Sequence, residues 1–203
     1  MNTVEFSLIF ARKACTMKQN KSIFFILLVL VVIASVYRVI PGRPWGFTPQ
    51  IAMALFGGAL FVKDKKWAFA LPLLSMFISD CLYQVLYVNG LTEIRGFYGG
   101  QWENYLLFAG MTCIGFLVKM NKVFSIAAGI LAAPTAFFLV SNFIVWASHG
   151  GYVRPYTFEG LMQCYGDGWP FYKGELLGTT VFGVVLFGGY YLVKNFSARK
   201  QLA

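Results

Sequence analysis

Asp80 stands inside the apolar run ALPLLSMFISDCLYQVL. A carboxylate within a membrane-length segment is costly, so it is held by a partner or marks a working site. Gln84 lies four residues further on and shares its helical face, with Tyr83 and Tyr87 beside it. Two basic residues are placed to meet this face, Arg38 at the end of the first apolar run and Arg43 in the segment GRPWGFT. An Asp80–Arg38 or Asp80–Arg43 ion pair would fix helices, whereas free guanidinium groups would receive a carboxylate or a phosphate. The two readings do not exclude one another. Asn142 and Trp146 share one face of a later apolar run, at a depth similar to that of Asp80. Trp45, Tyr83 and Trp146 offer rings for the flat or apolar parts of a solute, and Asp80 and Asn142 offer hydrogen bonds to orient it. The candidate binding set is therefore Arg38, Arg43, Trp45, Asp80, Tyr83, Asn142 and Trp146.

The elements that carry these residues are apolar helices. The chain has 203 residues, 58% hydrophobic and 12% charged, against roughly 25% charged in ordinary soluble domains. One histidine and four cysteines exclude a histidine-rich metal centre and a disulfide-stapled secreted domain. Six spans are predicted, over 22–40, 49–62, 67–88, 101–118, 123–147 and 170–193. The fold class is all-α, a polytopic membrane bundle. Residues 1–21 form a basic N-terminal tail, with Met17 as an alternative start, 22–193 the membrane domain, and 194–203 a basic tail.

The second span is short for a hydrocarbon core of about 30 Å. Either it lies inside protein and leaves a cavity above its N-terminus, or the membrane thins around it. In the first case its free N–H groups, with Arg38 and Arg43, would attract an anion. Thr48-Pro49 and Trp169-Pro170 read as helix starts, with Thr48 able to cap. Phe158, Leu161, Met162 and Tyr165 repeat at helical spacing behind Thr157, a candidate N-cap. They predict a short amphipathic helix lying on the membrane or over the pocket.

Charge gives the orientation. Twelve of the seventeen basic residues fall in the two termini and the KDKK and KMNK turns; five, Arg38, Arg43, Arg95, Arg154 and Lys173, fall on the opposite side. The positive-inside rule puts both termini in the cytoplasm. The longer connections, 41–48, 89–100 and 148–169, then face outward and hold most of the Trp, Tyr and Gly of the loops, so the working face is outside. Nothing in the sequence supports nucleic-acid binding. There is no phosphate-binding G-x-x-x-x-G-K-[ST] loop, no G-x-S-x-G, no H-E-x-x-H and no Cys/His metal spacing, so no cofactor or metal is expected and the chain reads as a non-enzyme.

The run FTPQIAMALFGGALFVKDKKWAFALPLLSMFISD, Phe47 to Asp80, resembles the second and third spans of the substrate-binding components of energy-coupling factor transporters. The later run SNFIVWASHGGYVRPYTFEGLMQCYGDGWPFYKGELLGTTVFGVVLFGGYYL, Ser141 to Leu192, resembles a bacterial family of uncharacterised six-span transport proteins, itself distantly similar to those components. The resemblance implies an inner-membrane protein of six helices with an outward-facing ligand pocket. It also implies a transmembrane coupling subunit and ATPases as partners. Span one departs from the pattern, with only Ala34 and Ser35 where an Ala-x-x-x-Ala docking pair belongs, and the KDKK turn is basic.

The sequence thus reads as a multi-pass solute uptake protein whose partners are a small solute, the bilayer and an energising module. Two rivals remain. One is a membrane-integral enzyme using Asp80 and Glu175 as acid and base. The other is a scaffold whose stripes of small residues, such as Gly129 and Ala133, are partner interfaces.

Overall fold

The computed structural model describes residues 28–200. They form an all-α bundle of six helices: α1 (Leu28–Val39), α2 (Gln50–Leu60), α3 (Lys65–Val88), α4 (Gln101–Leu117), α5 (Val123–Ala147) and α6 (Phe158–Lys200). The part of the first predicted span before residue 28, the N-terminal tail with Met17, and the last residues of the C-terminal tail lie outside the described residues. By length and composition α3, α5 and α6 are able to cross a membrane, while α1 as described and α2 are shorter apolar helices. Large apolar side chains such as Phe124, Leu131, Val184 and Leu192 are exposed on the outside of the bundle, a surface suited to lipid.

The short helix is the central one. Every residue of α2 from Gln50 to Ala59 is buried. Its Ile51, Leu55 and Phe56 enter the main core with Met76 of α3, Met111 of α4, Ile130 of α5 and Phe187 of α6, and Met53 packs with Val31 and Ala34 of α1. A helix enclosed by its neighbours meets no lipid and needs no full span. Its composition makes the enclosure possible. A Cβ on Gly58 would meet the Thr112 carbonyl and lie 2.8 Å from Gly115 Cα, and one on Gly115 would lie 2.5 Å from the Leu55 carbonyl. Two glycines facing each other let α2 and α4 touch backbone to backbone. Gln50 ties the start of α2 sideways: its Nε2 donates to the Ala34 carbonyl and to Ser75 Oγ. Thr48 does not cap; α2 starts at Pro49 without a side-chain cap.

One predicted element is corrected. Residues 158–165 are not a separate amphipathic helix, and Pro170 does not begin a helix. Both lie within the continuous helix α6. Thr157 does cap it, its Oγ1 accepting from the Gly160 N–H at 3.1 Å. A proline inside a helix removes one backbone hydrogen bond, at carbonyl i−4. Helices packed against neighbours in a membrane protein absorb that loss, and here Gly168 lies against the Asn142 side chain of α5. Pro72 and Pro134 likewise sit within unbroken helices.

The α2–α4 contact makes a stability test. Gly58→Ala forces backbone apart and is expected to destabilise the bundle by roughly 1–3 kcal/mol, as overpacking does, and so to lower the melting temperature. Gly188→Ala, where a Cβ meets nothing within 4 Å, is expected to be neutral or to stabilise by up to about 1 kcal/mol. Thermal unfolding in detergent compares the two; equal melting temperatures would remove the contact's importance.

Candidate solute-binding site

Asp80 sits on the fifth turn of α3 and is 2% exposed. Its Oδ1 pairs with Arg38 Nη1 from the end of α1. Its Oδ2 accepts from Tyr105 at 2.7 Å and from Gln101 Nε2, both on α4. Arg38 Nη1 also donates to Ser79 Oγ at 2.6 Å. An ionised carboxylate in such surroundings survives only when paired and hydrogen-bonded, and here two helices, α1 and α4, supply the donors.

The segment after α1 folds back over this pair. Arg43 donates from Nε to the Arg38 carbonyl at 2.9 Å and from Nη2 to the Tyr83 hydroxyl at 3.4 Å. Tyr83 in turn donates to the Arg38 carbonyl at 2.6 Å. From the other side comes the α3–α4 loop. Gly96 packs so closely on α3 that a Cβ would meet the Asp80 carbonyl and lie 2.5 Å from the Gln84 nitrogen. Gln84 Oε1 accepts from the Phe97 N–H at 3.3 Å, and Gln101 Nε2 donates to the Gly96 carbonyl at 3.0 Å. This docking presents Arg95, whose Nε donates to the Tyr87 hydroxyl at 3.1 Å and whose guanidinium lies over the Tyr87 ring.

Between these walls is a cavity of about 400 Å³, lined by Arg38, Arg43, Asp80, Tyr83, Ile94, Arg95 and Tyr98. Its size is that of a small-molecule site. Asp80 is the carboxylate that closes the floor, and it is matched by Arg38. Among the described residues neither Arg43 nor Arg95 has an ion-pair partner. No group of three or more His, Cys, Asp or Glu that could hold a metal ion is gathered among them either.

Four of the seven candidate residues, Arg38, Arg43, Asp80 and Tyr83, therefore come together in one cavity. The other three are placed elsewhere. Trp45 is 67% exposed and stacks on Phe171 of α6, with ring centroids 5.1 Å apart. Asn142 donates to the Phe138 carbonyl at 2.9 Å and receives Gly168 of α6 against its side chain. Trp146 donates to the Pro155 carbonyl at 2.9 Å and meets the Tyr156 ring edge-on. They join α6 and the α5–α6 loop to the bundle. No residue of the first turn of α2 lines the cavity, so the arginines stand without that helix's N-terminus. Ile94, Arg95 and Tyr98 were missed. Their signal was present in a long loop carrying Arg, Tyr and a Gly that a close approach requires.

A family model described as a family of unknown function (DUF6580) matches residues 18–201. The chain belongs to this family. No curated protein and no solved structure matches it. Membership in DUF6580 does not link the chain to the substrate-binding components of energy-coupling factor transporters.

The Asp80 hub predicts a coupled response to mutation. Asp80→Asn leaves the Arg38 charge with no counter-ion in a largely buried position and is expected to cost on the order of 3 kcal/mol. Arg38→Met combined with Asp80→Asn is expected to cost clearly less than the sum of the two single changes. Unfolding in detergent across the four proteins of the cycle gives the coupling; an additive result would mean the pair is not an energetic unit.

Proposed function

We propose that this DUF6580 protein is a multi-pass membrane protein that captures a small anionic solute from the outer side, as the binding step of uptake. One observation carries the reading: a small-molecule-sized cavity presents two guanidinium groups, Arg43 and Arg95, that no carboxylate among the described residues neutralises. Arg43 is half-buried and Arg95 is exposed to solvent, and both donate to tyrosine hydroxyls, which orients them as binding groups. In this reading the six-helix bundle is embedded in the inner membrane, with α2 enclosed inside it, and both termini are cytoplasmic. Three of those helices being long and apolar enough supports the membrane setting, and the distribution of basic residues supports the orientation. The cavity then opens outward. Release inward would draw on a partner coupling subunit with ATPases, or on an ion gradient.

Two experiments test the proposal. In a cysteine-free background, Gly99→Cys is expected to react with a membrane-impermeant maleimide added to intact cells, and Asn121→Cys only after permeabilisation; the reverse pattern would turn the cavity inward. Arg43→Gln and Arg95→Gln are each expected to lower solute accumulation or retained ligand at least tenfold, roughly the 1.4 kcal/mol or more of a lost charge-assisted contact. Lys173→Gln, on α6 with its ammonium over the Trp169 ring, is expected to leave it unchanged. Retained uptake in both arginine variants would end this reading.

A further inference from the structure

The cavity's hydrogen-bonding inventory says more than its charge. Its carboxylate, Asp80, is engaged by Arg38, Gln101 and Tyr105. The Arg38 carbonyl already accepts from both Tyr83 and Arg43. The acceptors around its floor are thus occupied. The donors are not. Arg43 uses its Nε and one Nη2 hydrogen, which leaves its Nη1 edge available. Arg95 uses only its Nε, which leaves both terminal nitrogens available. The Tyr98 hydroxyl accepts from Asn104 Nδ2 at 2.6 Å, so its own proton is directed elsewhere. Two guanidinium groups and a hydroxyl donor thus line a cavity whose one carboxylate already takes three donors. An amine, an ammonium group or a polyol would find donors facing donors and leave its own N–H or O–H groups unmatched, which costs about as much as a lost hydrogen bond.

Ile94, Tyr83 and Tyr98 supply the apolar walls, and neither Trp45 nor Trp146 lines the cavity.

Resting on the uptake reading above, we infer that the ligand is a compact oxyanion carrying two negative charges, a phosphate monoester group or a short dicarboxylate. Its two charges match the two unneutralised arginines, and its oxygens accept without donating. Each guanidinium presents paired N–H groups of the geometry that carboxylate and phosphate oxygens fit. Zwitterions such as amino acids fall outside the class.

The test uses the full-length protein in phosphatidylcholine nanodiscs and calorimetric titration at about pH 7.5 and constant ionic strength. A phosphate monoester is close to doubly charged there, its second pKa being near 6. The probes are methyl phosphate, dimethyl phosphate, succinate, acetate and glycine. Methyl phosphate or succinate is expected to bind at least tenfold tighter than its singly charged counterpart, dimethyl phosphate or acetate. Glycine is expected not to compete. Arg43→Gln and Arg95→Gln are each expected to cost at least tenfold and to erase the preference for two charges. Singly charged probes that bind as tightly, with the arginine dependence intact, would overturn the double charge while leaving an anion site standing. Glycine binding as tightly as the dianions would overturn the donor-only reading. Dianion binding indifferent to both arginines would remove the cavity, and the uptake reading with it. No binding by any probe to protein of unaltered melting temperature would overturn the dianion class, with the uptake assay left to judge the cavity. Nanodiscs containing phosphatidic acid separate the two sources of a phosphate monoester. Suppressed methyl phosphate binding there assigns a lipid headgroup, unchanged binding assigns a free solute, and either upholds the dianion.

Discussion

A carboxylate buried in an apolar bundle has to be satisfied from several directions at once, and the way Asp80 is satisfied sets much of this structure. One oxygen takes the guanidinium of Arg38 from α1, the other takes Gln101 and Tyr105 from α4. The side chain itself belongs to α3. Three helices are thereby fixed in rotation and depth by one group, because sliding or turning any of them strands a charge in surroundings of low polarity. The pair also organises what surrounds it. Arg38 is drawn down to Asp80, which leaves its backbone carbonyl as the anchor for Arg43 and Tyr83. Gln101, drawn to the same carboxylate, holds the Gly96 carbonyl and with it the loop that carries Arg95. The cavity walls are thus consequences of the pair beneath them.

The bundle around this hub divides its labour by length. The long helices α3, α5 and α6 present apolar side chains outward. The eleven-residue α2 is surrounded by them and presents almost nothing. A short enclosed helix leaves room at its ends for irregular chain that lipid would not tolerate. The segment from Pro41 to Pro49 occupies that room, with the Trp45 carbonyl against Gly174 and Thr48 against Gly178 of α6. Small residues on α6 thus serve the loop that bears Arg43, much as Gly58 and Gly115 serve the α2–α4 contact.

The helices were legible because apolar length is written directly in the sequence, and so was a basic partner for Asp80, since a lone acid in an apolar run demands a base within reach; the choice of Arg38 over Arg43 came from the structure. The short second span was read as enclosed or as mismatched to the membrane, and burial along its whole length decides for enclosure. What was not legible came from tertiary contact. Pro170 and its neighbouring glycines read as a helix start, but packing of α6 on α5 carries the helix through them. Trp45, Asn142 and Trp146 were grouped with Asp80 by similar depth, and depth does not specify which side of a bundle a residue faces. Arg95 and Tyr98 had no periodicity to report them. Their placement depends on one glycine approaching α3 and on Gln84 holding the loop, and neither can be inferred from spacing.

The charges at this end of the bundle bear on whether the cavity is only structural. Arg38 is matched by Asp80, and Arg154 by Asp167 in a two-pronged pair whose contacts include Nη2 to Oδ2 at 2.8 Å. Lys173 lies over the Trp169 ring. Arg43 and Arg95 alone among these five are fixed around a cavity without an opposite charge. An acid was available, since Glu93 is two residues from Arg95 in the same loop, yet the two make no ion pair. Two like charges held around a shared cavity repel one another, and the repulsion is relieved when an anion enters. In the proposed reading, the same electrostatics favour a ligand able to neutralise both groups at once.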